Sequence, residues 1–287
     1  MQHRYRIRSG EQCSPQIGGN ILLKTEQINE LTKISKEVRK DILLQIYEAQ
    51  SGHPGGALSC TDILTAIYFN EKQNDDKVVL SKGHASAALY AVLAEHGDIP
   101  KEELKSFRKY GSRLQGHPSS HALDKVDVSS GSLGQGLSIA NGIALANKLN
   151  KKDDYVYVIL GDGEIAEGQV WEAAMSSAHY KLNHIIAFLD YNKLQIDGSN
   201  DEVMKSKPLD KKFKAFGWNV QEIDGHDFNQ IIEAIEKAKL SRKPNMIIAN
   251  TIKGKGVSFM ENQVGWHGKA PNEEQYLQAL KELGGQL

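Results

Sequence analysis

Tyr155-Val-Tyr-Val-Ile-Leu160, closed by Gly161-Asp-Gly-Glu164, is answered about thirty residues on by His184-Ile-Ile-Ala-Phe-Leu189, closed by Tyr191-Asn-Lys-Leu194. Both apolar runs are short and rich in β-branched or aromatic residues, as expected of strands buried on both faces. Between them, Glu167–Lys181 has the length and apolar spacing of a helix. Strand, helix, strand at this spacing is a βαβ unit, which sets the carboxyl ends of two parallel strands side by side. Asp162 and Asn192 then offer oxygen ligands to one crevice. That suits a small hard cation whose other ligands are phosphate oxygens. The main-chain carbonyl of Leu194 is the best candidate for a third protein ligand. Gly161 and Gly163 let the backbone approach a bulky anion, and the start of the following helix offers unpaired N–H groups to phosphate. A Gly-Asp-Gly turn alone is an ordinary turn; the Asn at the next strand's tip is what makes it a site.

Outward from this unit the pattern stays regular. Ile28, Leu31, Ile34, Val38, Ile42, Leu43 and Ile46 form a helical stripe that ends near Gln50, with Gly52 and Pro54 as the stop. Asp62–Phe69 reads as a short helix. Val78–Leu80 reads as a strand opening onto Ser81-Lys-Gly-His84, and Ala85–Glu95 as a helix stopped by Gly97. An Ala-rich helix follows Gly136, a helical stretch spans Pro208–Phe216, and strands are expected near Trp218–Ile223 and Met246–Thr251. Asp227 is the expected N-cap of a helix to Leu240, and Asn272–Leu283 the last helix. Strands alternating with helices predict an α/β fold: a doubly wound, mostly parallel sheet with helices on both faces. Residues 26–287 read as one domain, preceded by an N-terminal extension, residues 1–25, that is basic and then rich in Gly, Ser and Gln.

Composition narrows the function classes. With 35 basic and 36 acidic residues, nothing suggests a broad nucleic-acid surface. No apolar run approaches the ~20 residues of a membrane span. Cys13 and Cys60 lack metal-ligand spacing and argue against a disulfide framework, so a cytoplasmic location is expected.

The run Gly161-Asp-Gly-Glu-Ile-Ala-Glu-Gly168 through Asn192 resembles the diphosphate-binding motif of thiamine-diphosphate enzymes. The wider chain is similar to the N-terminal half of transketolases. Ser51-Gly-His-Pro-Gly55, Leu80-Ser-Lys-Gly-His-Ala85, Gly116-His-Pro118, Gly131-Ser-Leu-Gly-Gln-Gly136 and Trp266-His-Gly268 match that family in its order. The resemblance implies that Asp162, Asn192 and the Leu194 carbonyl hold magnesium or calcium. It places Gly163, Lys253 and His84 near the diphosphate of thiamine diphosphate, and Gly131 and Leu133 around its rings. It also makes His53, His84, His117 and His267 the histidines of the substrate channel. Imidazole suits that task, since hydroxyls must be bound and their protons moved near neutral pH. His3, His96, His121, His179, His184 and His226 are read as structural or exposed.

Other residues carry two readings. Glu167 is either a partner of the helix dipole or, by the resemblance, part of a dimer interface linking two cofactor sites. Lys82 either pairs with diphosphate or a sugar oxygen, or is a solvated lysine. Cys60, Trp171 and Trp266 read as packing residues. The resemblance further implies a separately encoded C-terminal transketolase subunit carrying the pyrimidine-binding domain, sugar phosphates as substrates, and a dimer of heterodimers. The expected reaction is transfer of a two-carbon ketol unit from a ketose phosphate to an aldose phosphate. A ketol transferase with a specialised sugar or natural-product acceptor is the alternative. The α subunit of a 2-oxo acid dehydrogenase shares the cation motif but has no need of the histidine set.

Overall fold

The two apolar runs form neighbouring strands of a five-stranded sheet. A computed structural model describes residues 25–73 and 75–285; the N-terminal extension, Thr25 aside, lies outside the described residues. The elements run α1 (Thr25–Ala49), α2 (Pro54–Ser59), α3 (Thr61–Ala66), β1 (Lys77–Leu80), α4 (Ser86–His96), α5 (Gln135–Leu149), β2 (Val156–Gly161) and α6 (Gly168–His179). Then come β3 (Ile185–Tyr191), α7 (Asn200–Val203), α8 (Leu209–Ala215), β4 (Asn219–Asp224), α9 (Phe228–Lys239), β5 (Asn245–Asn250) and α10 (Glu273–Glu282). Strand order is β1-β2-β3-β5-β4, and every pairing is parallel.

Alternation along the strands builds two cores. Val156, Val158 and Leu160 of β2 face one side with Leu137 of α5, Val170 of α6 and Phe213 of α8. Tyr157 and Ile159 face the other with Ile42 of α1, Leu89 of α4 and Ile235 of α9. This is the period of two expected of a strand covered on both faces. The chain crosses the sheet in one direction from β1 to β4 with α5, α6 and α8 on one face, then turns back to β5 through α9 on the other. Right-handed crossovers require the change of face when the direction of travel reverses.

Local signals behave as their chemistry dictates. Gly97, at φ +86°, ends α4 in the left-handed region. The Asp227 side chain accepts from the Asn229 and Gln230 amides at the start of α9. One expectation needs correction. Pro54 does not only stop α1: it occupies the first position of α2, where its missing N–H costs nothing. A 3₁₀ turn, Glu164–Ala166, leads from Asp162 to α6, whose N-cap is Glu167, the expected start of that helix.

Candidate active site

Four strand ends deliver the chemistry: β1 leads to Lys82 and His84, β2 to Asp162, β3 to Asn192 and β5 to Lys253. Gly161 pairs with Asp190 in the ladder, so Asp162 lies beside the end of β3. Its Oδ2 accepts from the Lys193 amide at 2.5 Å and from Asn200 Nδ2 at 2.9 Å, while Oδ1 accepts from the Gly163 amide at 2.9 Å. Asn192 Oδ1 accepts from the Leu194 amide at 3.1 Å. Lys193, between them, has φ +70°, uncommon for a residue with a side chain and a mark of a constrained turn. From across the crevice, Lys253 Nζ donates to the Leu194 carbonyl at 3.4 Å and the Gln195 carbonyl at 3.2 Å. The Asp162 carboxylate at the end of β2 is thus tied to the short loop after β3 that carries the Asn192 carboxamide and the Leu194 carbonyl, with a cation facing that loop.

This donor set suits a hard divalent ion. Asp162 is only 4% exposed, and burial together with the charge of Asp190 pushes its carboxyl up to about 6. A carboxylate so disfavoured gains from an adjacent cation. Asn200 Oδ1 is buried beside it without a hydrogen-bond partner among the described residues. Protein oxygens alone fall short of the six or more ligands that magnesium or calcium takes, so diphosphate or water oxygens would complete the shell. No trio of His, Cys, Asp or Glu side chains is placed to bind a metal among the described residues.

The histidines gather next to this loop. Ring centroids of His53, His84 and His267 form a near-equilateral triangle with sides of 5.2, 5.4 and 5.4 Å. Burial, reinforced by Arg108, lowers His53 to about 4; burial and Lys82 lower His84 to about 2; burial and Lys253 lower His267 to about 4. His117 is also lowered, by partial desolvation of its ring and by Arg108, although the residue as a whole is exposed. Gly131, at φ +155°, makes room for it: a Cβ there would lie 3.2 Å from His117 Cγ. Leu133 sits half-buried in the same loop. A cavity of 540 Å³ opens beside His117, and His121, expected to be structural or exposed, lines it.

The solvated reading of Lys82 is overturned. Its side chain is 2% exposed, and its ammonium is held by Asp190 and by the Gly56 carbonyl at 2.8 Å. Burial opposes the charge, but Asp190 outweighs it and raises the ammonium above the ordinary lysine range. These two partners engage two of the three N–H donors of the ammonium, and Lys82 stands behind the histidines as a fixed positive charge. Lys253 is the contrasting case. Burial and Lys82 lower it to about 8, and its ammonium lies 3.1 Å from His267 Nδ1. Gly163 has ordinary helical φ; a Cβ there would lie 3.2 Å from the Gln195 side chain, so its smallness serves that packing. Glu167 is the exposed N-cap of α6 and makes no side-chain capping bond.

Two supporting residues, Asp190 and Arg108, carry no motif in the sequence, and a third, Glu164, lies in the Gly161–Gly168 run without a role read for it there. Asp190, fully buried in β3, accepts from Lys82, from Thr251 and from Ser59 Oγ at 2.5 Å. Glu164 accepts from Ser81, from the Gly134 amide at 2.8 Å and from the Gly161 amide at 2.9 Å, stitching three loops together. Arg108 contacts Ser51 and His53. Asp190 does leave a signal, because a charge inside an otherwise apolar strand demands partners. Arg108 leaves no such trace. Cys60, Trp171 and Trp266 pack as expected: Cys60 is fully buried, Trp171 lies against Phe213 and Phe216, and Trp266 is 7% exposed. His226 is structural, bonded to Asp62 at 2.7 Å and to the Ile252 amide at 2.9 Å.

Fold and site together define a cofactor-binding α/β domain, and comparison with known proteins gives its family. The family model described as "Transketolase, thiamine diphosphate binding domain" matches residues 32–286. The chain is 44% identical to the 6-deoxy-6-sulfo-D-fructose transketolase subunit SqwG of Clostridium sp. (strain MSTE9), over 90% of this chain and 98% of that one. It is 39% identical to an apulose-4-phosphate transketolase subunit from Phocaeicola vulgatus, over 91% and 96%. Transketolase from Campylobacter jejuni superposes with a TM-score of 0.84 at 33% identity, covering 92% of this chain but 43% of that one. The chain belongs to the transketolase family, as a thiamine-diphosphate-binding domain of N-terminal type.

Proposed function

We propose that this chain is the cofactor-binding subunit of a two-chain transketolase. With a partner subunit carrying the pyrimidine-binding domain, it moves a two-carbon ketol unit from a ketose phosphate to an aldose phosphate. The observation that carries this reading is the convergence of Asp162, Asn192, the Leu194 carbonyl and Lys253 on one loop, with three histidine rings packed beside it. Asp162, Asn192 and Leu194 would hold magnesium or calcium, and Lys253 and Gly163 would meet the diphosphate. Thiamine diphosphate, when bound, supplies the electron sink that cleavage of a C–C bond beside a carbonyl requires. The chain's own part is to bind and orient. Neutral imidazoles of His53, His84 and His267 hydrogen-bond substrate hydroxyls and carbonyl oxygens, with His117 beside them; burial keeps them uncharged at neutral pH, so they orient the substrate. The partner subunit is supported by the two relatives named as subunits, each matched over nearly its whole length.

A second reading differs only in the substrate. The 44% identity to a subunit named for a sulfo-sugar supports a ketose whose terminal group is not phosphate. The test is to co-purify the chain with its genomic neighbour and assay ketol transfer from fructose 6-phosphate, apulose 4-phosphate and 6-deoxy-6-sulfofructose. Turnover is expected only from the pair, and full activity from this chain alone would remove the partner from the proposal.

The pH dependence of cofactor binding has a definite sign. Cation binding needs the Asp162 carboxylate, so below about pH 6 a proton competes and affinity should fall, by up to ~10-fold per pH unit. Above about pH 8, Lys253 loses the charge that faces diphosphate, and affinity should fall again. Titrations with magnesium and thiamine diphosphate from pH 5 to 9 should therefore peak between the two values; a monotonic profile would contradict these roles.

A further inference from the structure

Arg108 carries a combination of features that its place in a loop does not require. Its backbone sits at φ +59°, a region side-chain-bearing residues rarely occupy unless their surroundings hold them there. Gly116 leaves space for its guanidinium: a Cβ at Gly116 would lie 3.0 Å from Nε and 3.1 Å from Cζ. Phe107, 1% exposed, anchors the preceding position, and the Arg108 amide donates to the Leu114 carbonyl at 2.9 Å. The guanidinium is thus aimed. It donates to Ser51 Oγ at 2.9 Å and the Gly116 carbonyl at 3.4 Å, and it meets His53 Nδ1 at 3.3 Å.

A guanidinium has only donors and keeps its charge at any physiological pH. Nδ1 of His53 must therefore present its lone pair to Arg108. A neutral imidazole with an accepting Nδ1 carries its one proton on Nε2. We propose that Arg108 is a positioning residue that fixes His53 as the Nε2–H tautomer, so that His53 meets its ligand as a hydrogen-bond donor and not as a base. The Nε2 edge lies beside Gly268, where a Cβ would be 3.8 Å from Nε2, and the ring centroids of His84 and His267 lie 5.2 and 5.4 Å from that of His53. The charged and titratable groups around the ring are Arg108, His117, Lys253, Lys82, His84 and His267, and the cations among them all oppose a second proton on His53. The ligand class that follows is an oxygen with a free lone pair, such as a carbonyl or a developing alkoxide. The link to ketol transfer rests on the reading of His53 as a substrate-channel residue; the tautomer itself does not.

The test is long-range ¹H–¹⁵N NMR of the full chain labelled at histidine, with His53 signals identified by their loss in H53Q. In the wild type, His53 should carry one proton, on Nε2, from pH 8 down to pH 5. R108K, which keeps a cationic donor, should preserve that tautomer. R108M should give mixed tautomers and raise the His53 midpoint by about one pH unit. An Nδ1-protonated His53 in the wild type overturns the proposal, whatever the variants do. So does an R108M spectrum whose His53 tautomer and midpoint match the wild type. The readout needs no cofactor or turnover. An Nε2–H His53 in a chain pair without ketol transfer would count against the proposed function while supporting this inference.

Discussion

Asp162→Ala should lower affinity for thiamine diphosphate in the presence of magnesium by at least about 100-fold, roughly 2.7 kcal/mol. Asp162 is the one carboxylate in the proposed ligand set, and Asn192 and the Leu194 carbonyl contribute only neutral oxygens. Loss of groups one shell further out in metal sites typically costs ~10–100-fold, so loss of the charged ligand belongs at or above that limit. Asp162→Asn is the milder change: it removes the charge and keeps one carbonyl oxygen, for the Gly163 amide or for the Lys193 and Asn200 donors, but sets an NH2 against the other side. Burial holds the Asp162 carboxyl near 6, so at neutral pH the folded chain keeps an ionised group that burial disfavours. In the ligand-free Asn variant, relief of that buried charge offsets part of the cost of the donor left unpaired, so it should lose less stability than Asp162→Ala, which leaves all three donors unpaired. Calorimetric titration and a melting curve report both quantities. Superimposable titrations for wild type and Asp162→Ala would end the metal assignment.

Asp190→Ala should be the most damaging substitution for the fold, costing about 3–5 kcal/mol. The Lys82 ammonium is buried beneath the histidines, and Asp190 is its only charged partner among the described residues; Thr251 and Ser59 bond to the same carboxylate. Removing it strands a charge in the interior and takes the partner of the Thr251 hydroxyl, while Ser59 Oγ keeps the Gly56 carbonyl at 3.2 Å. Removing both charges should hurt less: Lys82→Met with Asp190→Ala is expected to recover part of the loss, a coupling a double-mutant cycle measures directly. Urea unfolding supplies the numbers. A single Asp190→Ala variant within about 1 kcal/mol of wild type would show that Lys82 finds water or another partner, contrary to its burial.

Asp62, Arg39 and His226 illustrate how support reaches the site from a distance. Arg39 of α1 grips both oxygens of Asp62 at 2.9 and 2.7 Å and also donates to the Lys255 carbonyl at 3.1 Å. His226 joins Asp62 to the Ile252 amide. Both contacts fasten the segment after β5 that carries Lys253. In sequence these residues are scattered from position 39 to position 255, and no local pattern joins them.

The strands, the helices and the pairing of Asp162 with Asn192 were legible because each rests on short-range rules: period two along β2 and β3, helical spacing, Gly97 and Asp227 at their caps, and oxygen ligands where strands end. The histidine motifs were legible for the same reason, since Gly and Pro mark the turns that carry them. Sequence could not decide what each charge would face. Lys82 and Lys253 both follow a strand; one became a buried partner of Asp190 and the other a depressed ammonium over the Leu194 carbonyl. Glu164, Asp190 and Arg108 took their roles from residues 30 to 131 positions away or from a guanidinium seated against Gly116. Electrostatic environment depends on burial and on neighbours distant along the chain, and only the assembled strand ends of β1, β2, β3 and β5 settle both.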